Sequence, residues 1–461
     1  ARMTMADDET LDLGLLSKCD QFDMNFFRCA RSETVIMDPQ HRLLCEHGYS
    51  ALRASGLRRT DTKYSKTGIF LGMWPSDFDQ ILRQSVQSSV LLAVAGGSAI
   101  AAGRLSYILD LNGPCIEIDT ASSSALVACS LGVRSLREGD GGPLANVMGT
   151  HLLFHPDSAN LMKAIGLLKP SGRCYTWDNR ADGIVFGEAS LAVTLSSEPH
   201  YLPSIMSALS VRGVTVRQDG RTAVLTAPNG SAQQLLYRDS VRNVGTTEGE
   251  LSICALHGTG TQLGDPVEAG SLSATVLRST STSCTITGIK ANTGHTGAAG
   301  GLVALLMNAL DFMHLRTHPH AQLRQMSAPV SLNIKGTMAI CPVGVTSINT
   351  SPPGHIAGGV SSFGWSGTIV HGVLFGDQRS NVHLPKIRYA FIYRRYAFAF
   401  GPGVSKSAAA QTVPSSVQKS KRRALASHMQ PRRNAVKTRH TAIEEVLRTV
   451  RNLIGITTAI D

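Results

Sequence analysis

The stretch Glu117–Cys129, EIDTASSSALVAC, decides how the chain is read. It opens inside an apolar, β-rich run, CIEID (115–119), and continues into the small and apolar residues of a buried helix. A strand that turns at once into a helix puts Ser122 at the turn. The helix N-terminus there carries the positive end of the macrodipole, a setting suited to a nucleophile.

Outward from this elbow, residues 1–375 alternate short apolar runs with longer helical patterns. TGIFLGM (67–73), CIEID (115–119), SLAVTL (190–195) and TITGIK (285–290) read as buried strands. RLLCEHGYSALRASG (42–56) has helical spacing and a glycine stop, and GAAGGLVALLMNALDFM (297–313) reads as a buried helix with a tightly packed glycine-rich start. This alternation predicts an α/β layered fold with mostly buried sheets. No short internal repeat is visible.

The bulk composition agrees. With 461 residues, 43% of them hydrophobic, and 44 glycines, the chain has the make-up of a soluble globular protein with many tight turns. Disordered and fibrous classes are excluded. The longest apolar candidate, LLAVAGGSAIAAG (91–103), is too short and too glycine-rich for a membrane span, so no membrane partner is expected. Residues 1–20 lack the pattern of a secretory leader, and a start at Ala1 is expected of a piece of a longer protein. Nine scattered cysteines without a CxxC pair predict a reduced, intracellular protein, in cytoplasm or plastid, with neither a disulfide framework nor a metal site.

The net charge of +11 is misleading as a whole. Residues 376–461 hold 16 Lys/Arg against 4 Asp/Glu, a net +12, which leaves residues 1–375 at −1. The basic run from 419 to 439 lacks interleaved aromatics and any recognisable binding module, so nucleic acid is not an expected partner. The tail divides into an aromatic, basic segment (376–403), a Ser-, Gln-, Lys- and Arg-rich linker expected to be disordered (404–440), and a helical pattern (441–461) with Thr441 and Glu444 in capping-box positions.

Three further motifs sit where apolar strands end in glycine-rich loops. HGTGTQLGDPVEAG begins at His257, GIKANTGHTGAAGG carries Lys290 and His295, and GVSSFGWSGTIVHG runs over 359–372. Singly, each histidine is more often structural than catalytic. Together with Ser122 they form a plausible acyl-transfer set: a nucleophile, proton handlers and amide donors for an oxyanion.

With these motifs in place the chain resembles the ketosynthase domain of a modular type I polyketide synthase, a member of the thiolase-like condensing enzymes. The resemblance runs from about Gln21 to Leu374. It rests on FDMNFFRCARSETVIMDPQHRLL, AGRLSYILDLNGPCIEIDTASSSALVA, GRCYTWDNRADGIVFGEA, HGTGTQLGDPVEA, IKANTGHTGAAGG and GVSSFGWSGT, in that order. It implies a five-layer α-β-α-β-α fold with two similar halves over residues 1–375, usually dimeric. It implies decarboxylative Claisen condensation of acyl and malonyl units, with no bound cofactor and with substrates on the phosphopantetheine of an acyl carrier protein. Partners would be that carrier protein, neighbouring synthase domains and a second copy of the chain. By motif, His257 and His295 would handle the malonyl unit, Lys290 would orient and tune His295, and the backbone N–H groups of Ser122 and Trp365 would hold the oxyanion. Thr259, Thr261 and Phe363 would contact substrate. Residues 376–403 resemble a post-ketosynthase linker that packs back on the domain, and 441–461 either the start of a carrier-protein domain or an ordinary amphipathic helix.

The chain departs from the family at the elbow. The family reads Asp-Thr-Ala-Cys, whereas here Asp119-Thr120-Ala121 is followed by Ser122. A cysteine at a helix N-terminus gains thiolate character from the dipole. The same dipole, about 0.3–1 kcal/mol, cannot ionise an alcohol. Serine would need a general base. Cys115 and Cys129, seven residues to either side, are too far to replace the thiol. Decarboxylation needs the histidines and not the thiolate, so a non-extending or decarboxylating ketosynthase is expected. The alternatives are a catalytically silent scaffold that binds carrier protein and neighbouring domains, and full activity through an acyl-Ser122 ester. Trp365 stands where the family usually has Phe, at a position flanking the acyl pocket, and Ile369 replaces a family Asn. The family's apolar first strand is also absent, and the loss of a central strand would expose an edge and weaken the core.

Overall fold

The computed structural model describes residues 13–85, 90–164, 166–168, 172–198, 209–280, 282–348, 355–377 and 392–398. Two sheets dominate. The first contains β1 (Gly68–Met73), β2 (Cys115–Ile118), β3 (Leu144–His151) and β4 (Ala189–Ser196), in the order β2-β1-β3-β4. The second contains β5 (Leu209–Gln218), β6 (Leu251–Ala255), β7 (Cys284–Thr287), β8 (Ala339–Ile340), β9 (His355–Phe363) and β10 (Thr368–Asp377), in the order β8-β7-β6-β9-β10-β5.

The two sheets repeat one plan. In the first, β1 runs parallel to β2 and β3, and β4 is antiparallel to β3. In the second, β6 runs parallel to β7 and β9, and β10 is antiparallel to β9. The inner parallel strands are covered on both faces, so β1, β3, β6 and β7 are buried at every position, whereas β2, expected to be buried, lies at the sheet edge with Cys115 and Ile116 exposed.

Helices supply the remaining layers. α1 (Pro39–Ala54) and α2 (Ser98–Leu109) cover the outer face of the first sheet, and α4 (Gly230–Asn243) and α5 (Gly264–Leu272) cover that of the second. Between the sheets lie α3 (Ser124–Glu138) and α6 (Gly300–His314). The main core cluster joins both sheets through them: Leu126, Val133, Leu302 and Leu305 meet Val147, Leu191, Ile253 and Val360. Each such side chain contributes about 1.5–3 kcal/mol relative to exposure. α6 and the turn before it, Gly297–His314, are long and apolar enough to cross a membrane, but two-thirds of that stretch is buried in the middle layer. The five layers and two similar halves are those the family resemblance implies.

Local chemistry explains the boundaries. Asp38 caps α1 by accepting from Gln40 N at 2.7 Å, and Pro39 takes its first position, so the helix starts three residues before the periodicity suggests. At the elbow, β2 ends and Ala121 adopts φ +57°. A left-handed residue other than glycine costs on the order of 1–3 kcal/mol and persists where the surroundings enforce it. Here Ala121 N donates to Asp119 Oδ1 (2.9 Å), Thr120 N donates to Ser124 Oγ (2.9 Å), and Ser124 Oγ donates to Ala121 O (2.6 Å). Gly72 of β1 lies against the first turn of α3, and a Cβ there would fall on the backbone of Ser124 and Ala125. The glycine therefore lets the helix N-terminus dock on the sheet.

The expectation about the absent first strand needs correction. In the second sheet the first strand of the half, β5, lies outermost, beside β10. The equivalent place in the first sheet is beside β4, at an edge. The inner strands β1 and β3 are each paired on both sides, so the centre of that sheet is intact.

Part of the 376–403 segment is described, and it packs on the body. Tyr396–Ala397 pair antiparallel with Gln21–Phe22, and Phe398 is buried. Tyr393 stacks on Phe27, and Arg395 Nη2 meets Glu46 Oε2 at 2.7 Å. The linker at 404–440 and the helical pattern at 441–461 lie outside the described residues.

Candidate active site

The four candidate loops converge at the C-terminal ends of parallel strands. Ser122 follows β2, His257 follows β6, Lys290 and His295 follow β7, and Phe363 ends β9. Ser122 Oγ lies 3.0 Å from His295 Nε2 across 173 residues of sequence. The His257 and His295 rings are 5.9 Å apart and nearly perpendicular. Ser362 Oγ donates to Ser122 O at 2.8 Å, which ties the elbow of the first half to the second.

Two backbone amides fix the tautomers of both rings. Gly297 N donates to His295 Nδ1 at 2.9 Å, and Phe363 N donates to His257 Nδ1 at 3.2 Å. A nitrogen that accepts carries no proton, so each neutral ring bears its hydrogen on Nε2. His295 therefore donates to Ser122 Oγ and has no lone pair there to take the serine's proton. Burial first, and then the Lys290 ammonium, hold both histidines well below the ordinary imidazole range, so both stay neutral. The two rings present N–H donors at Nε2, and neither has a lone pair there to act as a base.

Lys290 lowers the His295 pKa as expected of a tuning residue, but it does not orient that ring by a hydrogen bond. Its ammonium donates to the carbonyl of His257 at 2.5 Å, so its direct partner is the backbone of the first histidine rather than His295. Burial lowers its pKa, opposed chiefly by Glu268. Glu268 accepts from His257 N (2.7 Å) and Gly258 N (2.8 Å), and Asp265 accepts from Trp177 N (2.7 Å) and Gly260 N (3.1 Å). Burial raises both carboxyls, Asp265 to about 6. Sequence reasoning quoted this loop but passed over these two acids. The signal lies in GDPVEA: acids three residues apart near the start of α5, Asp265 in its first turn, next to backbone N–H groups that need acceptors.

The remaining candidates are placed as follows. Thr259 Oγ1 lies 3.3 Å from Thr261 Oγ1, and Thr261 Oγ1 accepts from Gly264 N at 3.2 Å, so this pair shapes the loop itself. Phe363 packs its ring 5.2 Å from that of His257. Trp365 is 43% exposed in the β9–β10 turn, which is closed by hydrogen bonds from Gly364 N to Thr368 O and from Gly367 N to Gly364 O. Among the described residues no group of three His, Cys, Asp or Glu is placed to hold a metal ion.

At about pH 7, long-range 1H–15N spectra of histidine-labelled protein should show His257 and His295 as neutral rings protonated at Nε2. The pattern should persist as pH falls through the ordinary imidazole range near 6.5. A proton on Nδ1 of either ring, or titration near 6.5, would contradict this geometry.

The chain is similar to known proteins over both halves. Residues 4–200 match the family "Beta-ketoacyl synthase, N-terminal domain" and residues 209–324 match "Beta-ketoacyl synthase, C-terminal domain". A phenolphthiocerol/phthiocerol polyketide synthase of Mycobacterium tuberculosis is 37% identical over 361 residues, which cover 77% of this chain and 16% of that protein. A mycocerosic acid synthase-like polyketide synthase of Mycolicibacterium smegmatis is 33% identical over 77% of this chain and 17% of its own. The ketosynthase from module 6 of the bacillaene synthase of Bacillus subtilis superposes with a TM-score of 0.72 at 31% identity, covering 79% of this chain and 64% of that one. The chain thus spans about one sixth of the length of those polyketide synthases. Two family matches in chain order, carried on a fold of two similar halves, assign the chain to the beta-ketoacyl synthase family, as a ketosynthase domain of the polyketide synthase kind.

Proposed function

We propose that this ketosynthase domain decarboxylates malonyl-type thioesters presented on an acyl carrier protein and does not carry the condensation through. The observation that carries the reading is the direction of the Ser122–His295 hydrogen bond. Two neutral imidazoles offer Nε2–H groups, and neither is a base for Ser122.

The chemistry follows from what the donors can hold. A malonyl thioester whose carbonyl oxygen lies between the two Nε2–H groups loses CO₂ by breaking its terminal C–C bond. The electron pair passes into the enolate, whose oxygen the donors stabilise. With no acyl thioester on residue 122 to attack, the enolate takes a proton from solvent and leaves as an acetyl thioester. Neutral rings suit this task, since the N–H donors need not ionise. The Lys290 ammonium holds the His257 loop in place, with Glu268 and Asp265 gripping its amides. In this reading Ser122, through its backbone N–H, and Trp365 keep an oxyanion role, and Thr259, Thr261 and Phe363 line the approach of the phosphopantetheine arm. The polyketide synthase relatives make substrates carried on phosphopantetheine, neighbouring synthase domains and a homodimer the natural context.

Incubation with malonyl-carrier protein should release CO₂, and His257→Ala or His295→Ala should each lower the rate by about 10²–10³, the effect of removing one such donor. Release no faster than in these variants would sink the decarboxylase reading, and carrier-protein binding without turnover would then point to a silent scaffold. Replacement of the elbow residue is the complementary test. Ser122→Cys should form a β-ketoacyl product from an acyl donor and malonyl-carrier protein. A variant that binds both yet forms no carbon–carbon bond would mean that more than the nucleophile is missing.

A further inference from the structure

We propose that His151, a residue outside all the motifs above, is a positioning residue for His295 that acts through the backbone of Gly297. The inference rests on the reading of His295 as a fixed Nε2–H donor. His151 is the last residue of β3 and is 6% exposed. Gly297 adopts φ +50°, and a Cβ on it would fall on the His151 ring, 2.5 Å from Cδ2 and 2.7 Å from Nδ1. The imidazole thus packs directly against Gly297, whose N–H holds His295 Nδ1.

The other sides of the ring are also defined. Trp74, just past the end of β1, meets it edge-on with centroids 4.6 Å apart, and Phe186 lies 5.5 Å away. Phe186 continues to the His295 ring at 6.1 Å, and the backbone beside it grips His295 at both ends: His295 N donates to Val185 O (2.7 Å), and Gly187 N donates to His295 O (3.0 Å). His295 is therefore held on its backbone by residues 185–187 and on its Nδ1 by Gly297. His151 is the wall behind that second contact.

The buried nitrogen supports a role of shape rather than of hydrogen bonding. His151 Nε2 is sealed from solvent and has no hydrogen-bond partner among the described residues. No ligand can reach it in this arrangement, and an orphaned buried nitrogen is unfavourable to folding. Burial lowers the ring's pKa to about 4, so it adds no charge beside His295 near neutral pH. What remains is a flat, neutral plate of fixed thickness between Trp74 and Gly297.

The test compares His151→Ala, His151→Asn and His151→Phe in the full chain. The first readout is the 15N signature of His295, which needs no activity. Ala and Asn should convert the single Nε2–H form into a mixture with Nδ1–H, whereas Phe, which keeps the flat ring and removes the orphan nitrogen, should preserve the form and raise Tm. The second readout is malonyl decarboxylation. Ala and Asn should lower kcat about 10–100-fold with KM changed less than about threefold, the scale expected when a supporting contact is lost. A lower Tm with an unchanged His295 signature in both Ala and Asn would overturn the proposal, because it would mark a merely structural role. Wild-type protein that releases no CO₂, together with the expected tautomer shift in the Ala and Asn variants, would sink the decarboxylase reading and leave His151 in its assigned role.

Discussion

One backbone hydrogen bond, from Gly297 N to His295 Nδ1, sets the chemistry that the site can do. It keeps Nδ1 unprotonated and therefore puts the ring's only proton on Nε2, facing Ser122. Reversed, the same two side chains would be a serine and its general base. In the observed sense they are an acceptor and a donor, and on the proposed reading the serine hydroxyl is left unactivated. The parallel bond from Phe363 N to His257 Nδ1 aligns the second ring in the same way. A pair of neutral donors suits the stabilisation of an enolate oxygen, where preorganised N–H groups are worth several kcal/mol.

The rest of the molecule maintains those two bonds. The elbow stores strain at Ala121, offset by a local network of serine and threonine hydroxyls and by the docking of α3 on Gly72. Burial makes the imidazoles neutral, and it also makes the Lys290–Glu268–Asp265 group costly to desolvate. That group is tolerable because the carboxylates accept from backbone N–H groups of the loop bearing His257 and the ammonium donates to that loop. The charges serve to hold a loop, so their worth lies in geometry rather than in net stability.

Much of this was legible in the sequence where one residue type has one use. The apolar runs at 67–73, 190–195 and 285–290 became β1, β4 and β7, and the glycine-rich start at 297 became a tight turn leading into α6. The loops that carry Ser122, His257, Lys290 and His295 were found because each couples a strand end to glycines and a polar residue. Three things were not legible. The relation between the halves is one of layout and not of residues, so no repeat was visible and the outermost place of β5 could not be read. The partner of Lys290 is a carbonyl, which any residue supplies. The tautomers depend on amides that no side-chain pattern announces, and His151 reaches its role only because β3 ends beside Gly297.

The central claim is that Ser122 is not a working nucleophile. Intact-protein mass spectrometry after incubation with an acyl thioester tests it most directly, because condensation through this residue requires an acyl ester on its Oγ. The account expects the mass to remain that of the free chain, and an acyl adduct mapped to Ser122 would contradict it.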